Sequence, residues 1–314
     1  MNKLHCKNNN KSQLRITASY HLPGLFEIFD FYCLFLPLYR DHRNWFYDWC
    51  DIASIYGAPE GSLWGGGRTS FGNADARDVL ALMDEYGISA RLTFSNSLLR
   101  EEHLSDKQCN ELCRIFEGAK IPAGVIVHSD LLVDYLKEKY PDLYLISSTT
   151  KVLTDFEDLR SELDRPDFKY VVPDFRLNKA FDKLATLTQE EKDKVEFLCN
   201  ECCDINCRSR KACYENVSRK NLATSGEEIP DHQCTGKDGQ GGYKFSKAMK
   251  NPTFISIQDI RQTYLPMGFT NFKIEGRGLG SAMLLEFILY YMTKPEYQLE
   301  VREEIYLDSM LDLF

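Results

Sequence analysis

Residues 89–147 read SARLTFSNSLLREEHLSDKQCNELCRIFEGAKIPAGVIVHSDLLVDYLKEKYPDLYLIS, and this stretch decides the fold class. Three short runs rich in apolar and β-branched residues are predicted strands: Ser89–Phe94, Ala123–Val127 and Leu143–Ser147. Between them, apolar residues recur about every 3.6 positions, which predicts two helices: Lys107–Phe116 and Ser129–Tyr140. Strands joined through helices in this way form parallel sheets, so the stretch predicts a β-α-β-α-β unit.

The same alternation extends toward both ends of the chain. A further helix is predicted over Asp75–Tyr86, with Gly87 as its left-handed cap. The other predicted strands are Leu14–Ala18, Asp51–Tyr56, Tyr170–Pro173, Val195–Cys199 and Asn271–Glu275. Eight strands in a chain of 314 residues favour an α/β fold of the (β/α)8 TIM-barrel type. An open doubly wound sheet is the alternative, but it would usually carry a glycine-rich turn where this chain has His21–Phe26.

The chain is predicted to form one barrel with a tail at each end. We expect a polar N-terminal tail over 1–13, the barrel over 14–295 and an acidic, helical C-terminal tail over 296–314. About 70 residues separate the seventh predicted strand from the eighth, far more than any other pair of neighbouring strands. Loops of that length in a compact domain are usually functional, so we expect a cysteine-rich insertion over 199–250 that binds a metal.

No secretory or membrane-spanning segment is predicted. The first residues are polar, and the apolar stretch Leu22–Leu38 carries Glu27 and Asp30, so it is predicted to be a buried amphipathic helix. We therefore expect a cytoplasmic protein, in a compartment where thiols stay reduced. The net charge of −9 argues against a broad nucleic-acid-binding face but is compatible with a local basic pocket.

Six of the eleven cysteines lie between residues 199 and 234. The spacing Cys203-x3-Cys207-x5-Cys213, with Cys234 further on, supplies three close thiolates and one distant one, which is typical of a [4Fe–4S] cluster. Zinc is the alternative, although structural zinc sites usually carry two C-x2-C pairs and this segment has only Cys199-x2-Cys202. The spacing leaves open whether Cys199 or Cys202 replaces Cys213 as the fourth ligand.

In a (β/α)8 barrel, catalytic residues collect where strands end and the following loops begin. Four residues at such positions are predicted to be catalytic: His128, Glu201, Glu275 and Arg277. Five others are predicted to bind substrate: Gly66, Gly67, Arg68, Asn96 and Arg176. The alternative for Arg277 is a structural ion pair with Glu275 or Glu201, and the alternative for His128 is a capping role.

Two motifs resemble those of the collagenase-like peptidases, peptidase family U32. The first is Asn200-Glu201-Cys202-Cys203-x3-Cys207, followed by Arg210 and Cys213-Tyr214; the second is the closing strand Phe272–Arg277. The resemblance implies that Cys203, Cys207 and Cys234 bind the cluster. This chain has Cys202 where the family has glycine and Cys213 where histidine is common, so the fourth ligand differs from the family pattern.

The resemblance implies an iron–sulfur enzyme of oxygen-independent hydroxylation. Its substrate would be an RNA base or a small aromatic quinone precursor, with prephenate as an anionic co-substrate for Arg68 and Arg277 to hold. Two alternatives remain: a peptidase, as the family name states, and a non-catalytic iron–sulfur subunit paired with a homologous barrel. The sequence shows no obvious Ser/His/Asp arrangement and no His-Glu-x-x-His motif, so hydrolysis lacks a recognisable catalytic group.

Overall fold

The structure is a computed structural model, and it describes residues 17–66, 72–223, 227–234 and 242–311. Its strands are β1 Ala18–Pro23, β2 Cys50–Gly57, β3 Ser89–Phe94, β4 Gly124–Val127, β5 Tyr144–Ser147, β6 Phe168–Val171, β7 Glu196–Leu198 and β8 Asn271–Lys273. The α-helices that precede the cysteine insertion are α1 Phe29–Asp41, α2 Ala76–Tyr86, α3 Lys107–Glu117, α4 Asp130–Lys139, α5 Phe156–Leu163, α6 Phe181–Leu184 and α7 Gln189–Lys194. After β7 come α8 Arg210–Leu222, α9 Phe245–Ala248, α10 Ile257–Asp259, α11 Ser281–Tyr291 and α12 Gln298–Leu311.

The eight strands form a nearly closed parallel barrel, which confirms the predicted (β/α)8 class. The hydrogen-bonded order is β6-β5-β4-β3-β2-β1-β8-β7, and each neighbouring pair is parallel. One further parallel bridge, between Val171 and Val195, joins β6 to the residue before β7 and completes the ring. The long predicted insertion is present, because β7 and β8 pair directly although residues 199–270 separate them in sequence.

Local sequence signals place most of the elements. The strand β3 has the predicted bounds, and α2 begins after Asp75, whose side chain accepts from the backbone N–H of Arg77. Gly87 ends α2 in the left-handed conformation at φ 69°, as predicted. Thr188 and Glu191 form a capping box that starts α7.

The predicted position of the first strand is wrong. The predicted strand was Leu14–Ala18, of which 14–16 lie outside the described residues, and the observed strand β1 runs Ala18–Pro23. Leu22 and Pro23 therefore belong to the strand, although the predicted helix Leu22–Leu38 includes them. The observed helix begins at Phe29. In β1 the polar residues Ser19 and His21 alternate with apolar ones, and Pro23-Gly24 follows, so the local signals for a strand and a turn lie at the observed position.

The hydrophobic core lies between the barrel and the surrounding helices. Tyr20 of β1 contacts Phe272 of β8 and Tyr291 of α11, with ring centroids 6.2 and 5.8 Å apart. The predicted C-terminal helix is present as α12, and its Val301 and Ile305 are buried in the same core. Among the described residues, we find no helix with the length and apolar character needed to cross a membrane.

Candidate functional site

The four cysteines predicted to bind metal line one cavity beside the barrel. The loop after β7 supplies Cys203 and Cys207, the first turns of α8 supply Cys213, and the segment after α8 supplies Cys234. The cavity has a volume of about 480 Å³ and is also lined by Cys202. We call it the cysteine cavity. Convergence of residues this far apart in the insertion agrees with the predicted ligand set, and their binding of a metal stays a prediction.

Two arginines hold the cysteine loop in place. Arg176 donates from Nε to the carbonyl of Ile205 at 2.8 Å and from Nη2 to the carbonyl of Cys207 at 2.5 Å. Its Nη1 donates to Asp174 Oδ1 at 3.0 Å. Arg176 was predicted to bind substrate, and the hydrogen bonds described above join it to Asp174 and to the backbone that carries the cysteines. A substrate contact for Arg176 stays a prediction.

The second arginine, Arg210, lies beneath the loop and is only 1% exposed. Its Nη2 lies 2.5 Å from Glu201 Oε2 and its Nε lies 3.3 Å from Asp174 Oδ2. The other oxygen of Glu201 accepts from the backbone N–H of Cys203 at 2.9 Å. Glu201 therefore orders the loop and holds Arg210, and a catalytic role for Glu201 stays a prediction.

Burial raises the pKa of the Cys203 thiol to about 11, and the neighbouring Arg210 guanidinium opposes that rise. Glu201 and Cys207 add to it as negative groups. A metal ion would displace the thiol proton, and a buried guanidinium beside the sulfur lowers the free energy needed to keep the thiolate. Hydrogen-bond donors near ligand sulfurs are also one of the ways in which proteins tune iron–sulfur clusters.

Among the described residues, no three of the predicted cysteine ligands lie close enough to bind one zinc ion together, and their binding of any metal stays a prediction. Thiolates on a single tetrahedral zinc lie roughly 3.8 Å apart, given bonds of about 2.3 Å. Among the described residues, the group of three or more ligand atoms within 4.8 Å of one another is Glu201, Cys202 and Glu275, so no three of the four predicted cysteine ligands lie that close. A cuboidal cluster holds its thiolates farther apart, because each binds a different iron.

Cys199 and Cys202 occupy different environments. The thiol of Cys199 is fully buried in the hydrophobic core, where Sγ lies 3.6 Å from the carbonyl of Phe197. Burial raises its pKa well above the ordinary thiol range. Cys199 does not line the cysteine cavity and Cys202 does, so Cys202 is the extra thiol in position to replace Cys213.

A second cavity, of about 340 Å³, opens at the carboxyl ends of the strands. Its lining includes Thr93 at the end of β3, Lys273 at the end of β8, and the predicted catalytic residues Glu275 and Arg277. We call it the mouth cavity. Cys202 lines both cavities and so forms part of the wall between them. A ligand in the mouth cavity would therefore lie next to whatever the cysteines bind.

Two buried donors in the mouth cavity lack hydrogen-bond partners among the described residues. Arg277 donates from Nε and Nη2 to Glu27 Oε1 at 2.8 and 2.6 Å, while its Nη1 has no partner. The hydroxyl of Thr93 also has none, although the residue is only 6% exposed. The partner of Arg277 is thus Glu27, and not Glu275 or Glu201 as the structural alternative supposed. Buried unsatisfied donors are rare in folded proteins, which makes them candidates for ligand contacts.

The floor of the mouth cavity is a buried charge cluster that the sequence analysis missed. Arg91 Nη1 lies 2.5 Å from Glu196 Oε2, and Lys273 Nζ lies 3.1 Å from Glu196 Oε1. His21 Nε2 lies 3.5 Å from Glu196 Oε2. We call these four residues the floor cluster. The available signal was a charged residue inside each of three predicted strands, at Arg91, Glu196 and Lys273.

Burial sets the protonation of the floor cluster. It lowers the pKa of His21 to about 3, and the positive charge of Arg91 adds to this effect. Burial also lowers the pKa of Lys273 to about 8, with Arg91 and Arg277 adding to the effect and Glu196 opposing it. Burial alone would raise the pKa of Glu196, but Arg91, His21 and Lys273 together hold it well below the usual range.

The remaining predicted substrate-binding residues either contact the backbone of neighbouring loops or lie outside the described residues. Asn96 donates to the carbonyls of Leu63 and Ser218, which ties the loop after β3 to α8. A Cβ on Gly66 would lie 2.2 Å from the carbonyl oxygen of Ser95, so glycine there permits close backbone packing. Gly67 and Arg68 fall outside the described residues. Whether any of these residues binds substrate stays a prediction.

His128 lies one contact away from the mouth cavity. Its Nδ1 is 2.9 Å from the hydroxyl of Thr150, a residue that lines the cavity. Burial lowers the pKa of His128 to about 4, with Lys151 and Lys211 adding to the effect. The imidazole is therefore neutral at pH 7, so it can accept a proton but has none to give as an imidazolium acid.

We compared the chain with known proteins by sequence and by structure. No protein-family model and no curated protein matches the sequence. The structural comparison found a solved structure described as the U32 peptidase Mk0906, with 12% sequence identity and a TM-score of 0.49. The match covers 88% of this chain and 97% of that chain. A likeness at this level carries no argument about function, and we base none on it.

Proposed function

We propose that this protein is an iron–sulfur enzyme whose cluster binds in the cysteine cavity and whose substrate binds in the mouth cavity. Cys203, Cys207, Cys213 and Cys234 are the proposed ligands. The observation that carries the proposal is the shared wall, because Cys202 lines both cavities. A bound cluster would supply one-electron chemistry within reach of a molecule in the barrel mouth.

The chain's own residues prepare the mouth cavity for a small anion. Arg277 is held by Glu27 through Nε and Nη2, and its Nη1 lacks a hydrogen-bond partner among the described residues. The hydroxyl of Thr93 is a second such donor. Lys273 lies at the floor, and Glu275 lines the same cavity as an acid or base. These groups suit a carboxylate-bearing co-substrate such as prephenate, and the hydroxylation implied by the sequence resemblance is the reaction we propose. The acceptor would be an RNA base or a small aromatic quinone precursor.

Anaerobic purification tests the cluster. The protein should be brown and contain about four irons per chain, with matching sulfide. Cys203→Ala should lose the iron, whereas the exposed Cys33→Ala should keep it, because Cys33 lies outside the cavity. Colourless protein that binds one zinc would contradict the proposal, and so would iron that survives Cys203→Ala.

The proposed reaction needs a separate test. Prephenate should raise the melting temperature of the anaerobic protein, and the increase should shrink in Thr93→Val. Cells that lack the protein and grow without oxygen should lose a hydroxylated RNA base or quinone intermediate. Peptide cleavage that persists after iron removal would instead support the peptidase. A loaded cluster with no ligand binding, together with a co-purifying barrel protein, would support the subunit.

A further inference from the structure

The floor cluster contains more positive than negative charge. Arg91 alone makes a close ion pair with Glu196, at 2.5 Å, and Lys273 is a second cation on the same carboxylate. His21 adds no charge at neutral pH, because burial keeps it unprotonated. A protonated Lys273 therefore leaves one buried positive charge in excess within the cluster. Loss of its proton, or arrival of an anion, removes that excess.

We propose that Lys273 is a nucleophilic amine that forms an imine with a small carbonyl compound carrying a carboxylate. The proposal rests on the proposed function only in placing a small anion in the mouth cavity, and it needs no cluster. Buried lysines held near other cations are the ones that act as Schiff-base nucleophiles, since part of the amine is neutral near physiological pH.

The amine is fixed in position from several sides. Its Nζ lies 3.1 Å from Glu196 Oε1 and 3.5 Å from the centre of the Tyr56 ring. Tyr56 is itself fixed, because its hydroxyl donates to the carbonyl of Ile274 at 2.6 Å. Both Tyr56 and Lys273 line the mouth cavity, so the held amine borders the space where a ligand would sit. Arg277 and Glu275 are the charged groups that line the cavity on the segment after β8.

The carboxylate of the ligand has its own donors. Arg277 Nη1 and the hydroxyl of Thr93 are buried, line the same cavity as Lys273 and lack partners among the described residues. We assign these two residues to the carboxylate of the ligand, for which Arg277 would supply a charged donor. The cavity thus combines an amine for the carbonyl carbon with donors for the acid group.

The step balances without an oxidant or reductant. Protonated Lys273 first releases one proton and becomes a neutral amine. Its nitrogen then adds to the carbonyl carbon, and the two remaining amine hydrogens leave with the carbonyl oxygen as water. One carbon–nitrogen double bond replaces the carbon–oxygen double bond, and hydrolysis reverses the reaction.

Borohydride trapping tests the proposal on the full chain. Glyoxylate or pyruvate is added to the anaerobic protein, borohydride reduces any imine, and mass spectrometry locates the adduct. We expect one adduct per chain at Lys273, with the mass of the oxo acid less one oxygen atom. Acetaldehyde, which has no carboxylate, should label Lys273 more slowly. Labelling spread over exposed lysines with no preference for Lys273 would overturn the proposal.

Variants sharpen the result. Thr93→Val removes a hydroxyl without a partner, keeps the shape of the side chain and should slow labelling by pyruvate about tenfold. Lys273→Met should abolish the adduct, and the exposed Lys120→Met should not change it. An adduct that persists in Lys273→Met would refute the assignment. If Lys273→Met does not fold, the location of the adduct in the wild-type chain still decides.

The same experiment separates this inference from the proposed function. Cys203→Ala should lose iron and still be labelled at Lys273. Labelled protein that never binds iron would leave the imine in place and reject the cluster. Protein that binds iron but is not labelled would reject the imine and leave the cluster.

Discussion

The floor cluster and the cysteine loop are held in place in different ways. The floor cluster is carried by strands: Arg91 on β3, Glu196 on β7 and Lys273 on β8. The cysteine loop is instead held by arginine side chains, with Arg176 bound to its backbone carbonyls and Arg210 bound to Glu201. The barrel's hydrogen-bonded ladders therefore fix the floor cluster, whereas the loop depends on a few side-chain contacts.

The largest effect is expected for Glu196→Gln in the floor cluster. The change leaves Arg91 and Lys273 buried without a counter-charge, and removal of one partner from a buried ion pair costs about 3–5 kcal/mol. Urea unfolding followed by circular dichroism should show this loss for the whole barrel. Glu85→Gln is the control, because its pair with Arg40 is largely exposed and its loss should leave unfolding unchanged. Equal losses of unfolding free energy in the two variants would contradict the prediction that the floor cluster stabilises the barrel.

The second prediction concerns acid stability and His21. Its pKa is lowered from 6.5 to about 3, so the unfolded chain binds a proton that the folded chain does not. Stability is therefore complete above pH 6.5 and falls as the pH falls, by about 3 kcal/mol near pH 4. His21→Gln should reduce the slope of unfolding free energy against pH between these values. An unchanged slope would mean that His21 is not held neutral by the barrel.

The third prediction concerns the cysteine loop. Arg176→Met removes the donors for the carbonyls of Ile205 and Cys207 and should cost about 1–2 kcal/mol. The loss should be local, so limited proteolysis should cut near residues 203–209 while the barrel stays folded. Arg208→Met is the matched control, since Arg208 is exposed in the same loop. A loss of unfolding free energy for the whole barrel as large as that of Glu196→Gln would contradict the distinction between the floor cluster and the cysteine loop.

The smallest effect is expected for Cys202→Ala. If Cys203, Cys207, Cys213 and Cys234 bind the cluster, the variant should keep its iron within the error of the assay. Its stability should change little, because Cys202 is only partly buried. Iron loss in Cys202→Ala with iron retained in Cys213→Ala would make Cys202 the fourth ligand.

Local patterns were sufficient to predict the fold, because most β-α pairs are marked by apolar spacing and several helices begin at a capping residue. The pattern was misread at β1, where Ser19 and His21 alternate with apolar residues and Pro23-Gly24 ends the strand. The close spacing of Cys203, Cys207 and Cys213 also pointed to one cavity. Residues that meet only when the barrel closes were not predictable in this way.

The pair of Arg277 and Glu27 illustrates that limit. The two residues are 250 positions apart, so nothing local links them, and the structural alternative in the sequence analysis named only the nearer acids Glu275 and Glu201. The floor cluster was missed for the same reason, since Arg91 and Glu196 belong to strands that meet across the barrel interior. Arg176 shows a second limit: a strand-end arginine can contact substrate or backbone, and the sequence alone does not distinguish the two.

The single bridge between Val171 and Val195 has a mechanical consequence. Among the described residues, seven strand pairs are joined by ladders, and only this bridge joins β6 to β7. A ring with one weak join concentrates deformation there, and the cysteine loop leaves the barrel from that side. Deformation at the join therefore moves β7 and β8 together relative to β6, because a ladder joins β7 to β8.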